Sequence, residues 1–392
     1  MAPRPVRAVV DLGAVRHNVA VLAERGAPAA LCAVVKAGAY GHGAVPVAQA
    51  ALEAGATWLA VAMVEEGAEL RAAGIGAPVL LLSEPPASSM ADVVELGLVP
   101  TLYTQAGVEA AAKAAVAGLR GPNAEPDAGL RGPNAEPATG GPLTVHVKVD
   151  TGMHRVGAGP GEAVAVAVAA DELPELVLQG LWTHFAVADE PDHPFTSRQW
   201  ARFGAVMAEL GGLGIRPPLA HCCNSAGLLA HPEARGDLVR CGIALYGVAP
   251  SPALAGEADL RPALSLRAEV SYVKEVAAGE GLSYGLRYRL ERPSTVATVP
   301  LGYADGVPWR LAGAAAEVLL GGRRRRLAGA VTMDQILVDC GDDASVAPGD
   351  EVVLLGSQGD ERIDAWEWAE KLGTIAYEVL CGIGPRVPRV YV

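Results

Sequence analysis

The chain has 392 residues, half of them hydrophobic, 31 basic against 44 acidic side chains, and a formal net charge of -13 with pI near 5.1. That length exceeds a usual single core and favours one large domain plus a smaller one, while the acidic balance argues against a nucleic-acid partner. No uninterrupted apolar segment reaches membrane-spanning length, and the opening MAPRPVRAVVDLGAV is too short and too soon polar for a signal peptide, so a cytoplasmic protein is expected.

From Asp11 to about Gly242 short apolar runs alternate with alanine-rich stretches. The runs are LCAVV, WLAVAM, PVLLLS, LTVHVKV and LVLQGLW; helices are predicted over residues 44–54, 65–73, 106–117 and 161–170. Continuous apolar strands spaced by helices suit a parallel sheet covered on its outer face. Repeated over roughly 230 residues, the unit fits a barrel of eight strands and eight helices, with a doubly wound open sheet as the competitor that periodicity alone does not exclude.

The first run ends in LCAVVKAGAYGHG, residues 31 to 43. Only five of the basic residues are lysines, Lys36, Lys113, Lys148, Lys274 and Lys371, so arginine serves wherever a generic cation will do. An amine kept at a strand end points to chemistry that a guanidinium cannot perform, because an amine can lose its proton and attack a carbonyl. If the strand belongs to a barrel, its carboxyl end opens on the active-site face, and Gly38, Gly41 and Gly43 let a bulky ligand approach. Tyr40 adds a hydroxyl suited to a phosphate oxygen. Desolvation there lowers a lysine pKa and prepares the amine for a Schiff base.

Residues 118 to 137 hold a near-perfect tandem copy, GLRGPNAEPDA then GLRGPNAEP, rich in Pro, Gly and polar residues. A surface loop on the barrel face away from the site is expected, silent in catalysis. The six cysteines lack paired CxxC spacing and read as reduced core residues, and HFAVADEPDH lacks the second cluster a metal site needs, so no metal is expected.

After Tyr246 the pattern changes to strands without long helices between them: LSLRAEVSYVKEV, STVATVPLG, AEVLLGG, RRRLAGAVTMDQILVD and DEVVLLG, with one helix near Asp364 to Leu372. This reads as an antiparallel β domain over 246–392 following a barrel over 1–245. The dense basic run Arg323 to Arg326 falls in a predicted hairpin.

AVVKAGAYGHG resembles the cofactor-lysine motif of the alanine racemases, pyridoxal 5'-phosphate enzymes built on a barrel plus a β domain. VKVDTGMHRVG, WTHFAVADE, HCCNSA, VRCGIALYG and GLSYG match in order, followed by GYADG, MDQ, TIAYEVLC and RVPRVYV. The resemblance covers nearly the whole chain.

It implies an isomerase that interconverts L- and D-alanine for peptidoglycan or for a secondary metabolite, with Lys36 holding the cofactor and serving as one acid-base group and Tyr284 as the other. A racemase removes a proton from one face and returns one to the opposite face, so two groups are the minimum. Arg240 would face the pyridine nitrogen, and His184 would lie beside the ring. Tyr40, Ser225, Gly242, Ile243 and Tyr377 would hold the phosphate. Arg155 and the backbone at Met333 would bind the substrate carboxylate, and Lys148 stands where some family members carry a carbamylated lysine. Tyr284 and Met333 complete the partner's pocket in the family, which implies a homodimer with shared sites.

Three positions depart from the family pattern. Gly38 replaces an Asn or Asp, and Trp309 and Ala330 stand where arginines line the entryway near Asp189, with Arg310 one residue along. Substrate breadth is what these changes touch, leaving a racemase of serine or other small amino acids as an alternative; a related barrel decarboxylase, which shares the barrel and the lysine, is a further one, though its cysteine-containing second-domain signature is not apparent while the tyrosine base is.

Overall fold

The computed structural model describes residues 4–119 and 141–392, so the tandem repeat from residue 120 onward lies outside the described residues. The chain forms two compact units. One comprises Val15–Ala39 and Ala44–Arg261; the other comprises the segment through Ala14, Tyr40–Gly43 and Pro262–Val392.

The first unit is the parallel barrel. Strands Val79–Leu81, Trp58–Val61, Ala30–Val34 and Leu238–Cys241 make one four-stranded sheet, and Thr101–Leu102, Leu143–Lys148, Leu176–Trp182 and Leu219–His221 make the other. Parallel bridges Leu80 to Val99 and Asn224 to Arg240 join the two sheets at both edges and close the ring. Trp58–Val61, Val79–Leu81 and Leu238–Cys241 are buried along their whole length, as strands covered on both faces must be. The predicted helices appear as Ala44–Glu53, Val64–Ala72, Gln105–Leu119 and Pro160–Asp171.

The second unit is a ten-stranded sheet, antiparallel at every pairing except one. Leu264–Glu269 alternates buried and half-buried residues, the period of a sheet with one face on the core. Its neighbour is Val6–Val10, in antiparallel register from Val6 opposite Ala268 to Val10 opposite Leu264, and Val6–Val10 also pairs in parallel with Arg389–Tyr391. The units therefore divide the chain differently from a cut after residue 245. The first strand satisfies its backbone groups in the second unit, and the barrel unit runs on through Arg261.

The hairpin expected around Arg323 is present as Glu317–Leu320 against Arg323–Leu327. Arg324 bonds Glu317, Glu361 and Glu367 at 3.2, 3.0 and 2.9 Å, and Arg325 pairs with Asp343. Carboxylates of its own unit thus pair the two central arginines of this run. The helix expected near Asp364 spans Ala365–Leu372, capped by Asp364, whose carboxylate accepts from the Glu367 amide at 3.0 Å. A second helix, Ala376–Cys381, follows it. Five cysteines are buried free thiols as the sequence suggests, whereas Cys381 is exposed.

Candidate active site

Catalytic residues of a closed parallel barrel collect at the carboxyl ends of its strands, and the candidate residues of this unit lie there. Lys36 follows Ala30–Val34, Lys148 ends Leu143–Lys148, His184 follows Leu176–Trp182, and Arg240 and Gly242 close Leu238–Cys241.

Lys36 opens a single left-handed turn. Ala37, Gly38, Ala39 and Tyr40 all have φ between 53° and 58°, a region that costs a residue with a Cβ about 1–2 kcal/mol. Gly38 carries no such penalty, and nothing lies within 4 Å of where its Cβ would be. The Glu66 carboxylate holds the turn: Oε1 accepts from the Ala37 amide at 2.5 Å, while Oε2 accepts from Ala62 and Met63 amides at 2.8 and 3.2 Å. Strain concentrated in the turn after one lysine and restrained by a carboxylate is the pattern of a site that needs its amine in a fixed place.

Arg240 is 2% exposed. Nη1 donates to His221 Nδ1 and to the His221 carbonyl at 2.8 and 3.1 Å; Nη2 donates to the carbonyls of Thr183 and Cys222 at 2.8 and 3.1 Å and approaches His184 Nδ1 at 3.4 Å. Among the described residues no bond engages Nε. That donor is left for a ligand acceptor, such as an unprotonated ring nitrogen.

Lys148 is 3% exposed, its Nζ 4.3 Å from the centre of the Trp182 ring. Burial, then the cations Arg240 and Arg155, with a smaller part from Lys36, push this amine down to about 7 against the pull of Asp150. The same cations and burial hold the His184 imidazole well below its ordinary range, so it is neutral. Arg155 is exposed on the loop after Lys148, where Asp150 accepts from the amides of Gly152 and His154 at 2.9 and 3.0 Å and fixes the loop start.

Ser225 begins the short helix Ser225–Ala230, and its Oγ accepts from the Gly242 amide at 2.9 Å and from Ala244 at 3.4 Å. Gly242 and Ile243 stand at the start of the 3-10 turn Ile243–Tyr246. Hydroxyl and main-chain donors grouped at a strand end suit an anion.

The remaining candidates belong to the second unit. Tyr40 is buried with its ring centroid 6.2 Å from that of Tyr377. Met333 is exposed, and Tyr284 is 78% exposed on the wall of a cavity of about 750 Å³ shared with Arg287, Trp309, Arg310, Ala330 and Lys371.

Some supporting residues were not anticipated. Gln199, on Phe195–Gly212, donates from Nε2 to Thr151 Oγ1 and the His184 carbonyl, both at 3.0 Å, and accepts from the Ala186 amide at 2.8 Å. It ties together the loops that carry Arg155 and His184. His146 and His221 sit behind Arg240. Strand alternation places His146 on the same inward face as Lys148, a signal the sequence carried.

Comparison with known proteins agrees with this geometry. Residues 10–250 match the family model "Alanine racemase, N-terminal domain" and residues 263–391 match "Alanine racemase, C-terminal domain". The chain is 45% identical over 388 residues to an alanine racemase of Symbiobacterium thermophilum, covering 99% of this chain and 97% of that one. It is 43% identical to one of Thermobifida fusca, covering 97% and 96%. Among solved structures it is similar to the alanine racemase of a D-cycloserine-producing Streptomyces lavendulae, with TM-score 0.89, 41% identity and 100% and 98% coverage. It is also similar to that of Bacillus anthracis with bound L-Ala-P, with TM-score 0.87, 36% identity and 100% and 96% coverage.

Proposed function

The chain belongs to the alanine racemase family, and from that premise we propose that it interconverts L- and D-alanine, with Lys36 and Tyr284 moving the α-proton on opposite faces of the substrate. The D-alanine so made serves as a building block of peptidoglycan. The observation that carries the reading is Lys36 at the start of a left-handed turn at the carboxyl end of a barrel strand, the strand that pairs in parallel with the one bearing the buried Arg240.

The family depends on pyridoxal 5'-phosphate. When bound, that cofactor supplies an electron sink that makes the substrate α-hydrogen acidic. Arg240 would hold its ring nitrogen through Nε. A guanidinium keeps its proton, so Arg240 would leave that nitrogen unprotonated and the cofactor would supply a moderate sink, suited to return of the proton to the same carbon. The hydroxyls of Tyr40, Ser225 and Tyr377 with the amides of Gly242 and Ile243 would hold the phosphate, and neutral His184 would lie beside the ring. Arg155 and the backbone at Met333 would bind the substrate carboxylate.

The exposure of Tyr284 and Met333 supports their contribution to the site of a second copy of the chain, in a two-fold pair with two shared sites. Buried free thiols fit a reducing compartment, and a cytoplasmic location follows from this reading; among the described residues no helix is long and apolar enough to cross a membrane.

Lys148 is the candidate for carbamylation. A neutral amine adds carbon dioxide to give a carbamate anion and one proton, and the change from cation to anion replaces repulsion from Arg155 and Arg240 by attraction. With the amine at about 7, the neutral form dominates above that pH and the adduct is lost below it. Protein equilibrated with 13C-bicarbonate is expected to show a carbamate carbon resonance at pH 8 that fades toward pH 6 and is absent from Lys148→Arg.

A broader specificity is favoured by one feature: Trp309 and Ala330 line the cavity beside Tyr284. Exchange of the α-hydrogen in heavy water, run on alanine, serine and other small amino acids with and without added pyridoxal phosphate, tests both readings. Cofactor-dependent exchange and inversion fastest on alanine is expected. Release of carbon dioxide in place of inversion would overturn the racemase reading, and comparable rates on serine would establish the broader one.

A further inference from the structure

Inside the barrel four side chains stand in an unbroken line behind the candidate site. Arg240 Nη1 lies 2.8 Å from His221 Nδ1, His221 Nε2 lies 2.9 Å from His146 Nδ1, and His146 Nε2 lies 3.3 Å from Gln179 Oε1. Arg240, His221 and His146 are buried.

Only one direction of donation satisfies every contact. A guanidinium donates and never accepts, so His221 Nδ1 accepts and its proton sits on Nε2. That proton goes to His146 Nδ1, which leaves the His146 proton on Nε2, donated to the Gln179 amide oxygen. Turning the Gln179 amide over would reverse both imidazoles and set an N–H of His221 against an N–H of Arg240. The direction is therefore set at both ends, by the donor-only guanidinium of Arg240 and by the Gln179 amide oxygen on strand Leu176–Trp182.

We propose that His146 and Gln179 are positioning residues for Arg240: they hold His221 as the neutral Nε2–H tautomer, whose Nδ1 lone pair orients the guanidinium and leaves Nε for a ligand. This rests on the reading of Arg240 as the partner of the cofactor ring nitrogen.

The packing is built for such a line. Trp182 stacks on His221 with centroids 5.7 Å apart and planes at 11°, and Trp58 covers His146 at 5.3 Å. Gly180 admits the His146 ring, since a Cβ there would stand 2.5 Å from Nδ1. The cations facing the line are Arg240 itself and Lys148, across the Trp182 ring. Burial together with Arg240 keeps both imidazoles neutral, His146 down to about 4 and His221 shifted in the same sense.

The test is 15N NMR of histidine-labelled full-length chain, first without cofactor. Both imidazoles are expected as neutral Nε2–H tautomers at pH 6 and pH 8. An imidazolium or an Nδ1–H tautomer at either position overturns the proposal, even in a fully active enzyme. Because the NMR readout needs no cofactor, a wrong tautomer is told apart from a failure of the cofactor assignment.

Two variants then test the positioning role. Gln179→Leu removes the terminal acceptor from a half-buried site, and His146→Leu removes the inner one, whereas His146→Asn keeps an oxygen near the Nδ1 position. Both leucine variants are expected to mix the His221 tautomers, to shift the absorbance of added pyridoxal phosphate, and to lower kcat about tenfold with KM for alanine unchanged, as loss of one hydrogen bond that orients a buried charge would. His146→Asn is expected to restore most of kcat. Folded Gln179→Leu with unchanged absorbance and kcat overturns the positioning role.

Discussion

Lys36→Arg is expected to abolish measurable racemisation, a loss of about a thousandfold or more, while the protein folds as before. The substitution keeps the charge and most of the length, but a guanidinium cannot give up the proton that the amine must exchange. The turn that presents residue 36 depends on backbone atoms of residues 37–40 and on Glu66, which the substitution does not touch. D-alanine formation by chiral chromatography, set beside the thermal unfolding midpoint, measures the two consequences separately. Activity within tenfold of the parent would remove Lys36 from the chemistry and with it the proposed mechanism.

Tyr284→Phe deletes one oxygen from an exposed ring and is expected to lower kcat by about 10²–10⁴-fold, the usual contribution of a general acid-base group. The stronger test uses both variants together. If each site takes its amine from one copy and its phenol from another, co-refolded Lys36→Ala and Tyr284→Phe chains give mixed dimers with one site lacking both groups and one site intact. Random pairing then recovers about a quarter of the parent activity from two inactive stocks. No recovery, with mixed dimers confirmed by native mass spectrometry, would mean that amine and phenol come from the same chain and would overturn the shared-site reading.

The barrel was legible because its signals are local. Fully apolar runs separated by helical stretches mark strands covered on both faces, and the strands at Ala30–Val34, Trp58–Val61 and Val79–Leu81 fall on runs quoted from the sequence alone. The pairing of the strand Val6–Val10 is not legible for the converse reason. VRAVV has the same local signature whether it pairs within a barrel or, as here, with Leu264–Glu269 more than 250 residues away. The helix Ala376–Cys381 was passed over because six residues hold too little periodicity to register.

The sequence by itself determined the family and the order of barrel and β domain, since each resides in contiguous residues whose spacing survives without coordinates, and it singled out the lysine on which the proposed mechanism rests. Tertiary structure decided how the site is held: Glu66 on the turn after Lys36, Gln199 across two loops, and the donor line from Arg240 through His221 and His146 to Gln179. A hydrogen bond depends on distances of a few ångströms between residues far apart in the chain, and the tautomer of a buried imidazole depends on which neighbour can only donate. Neither quantity is written in any local stretch of sequence, so it exists only once the strands have closed into the ring.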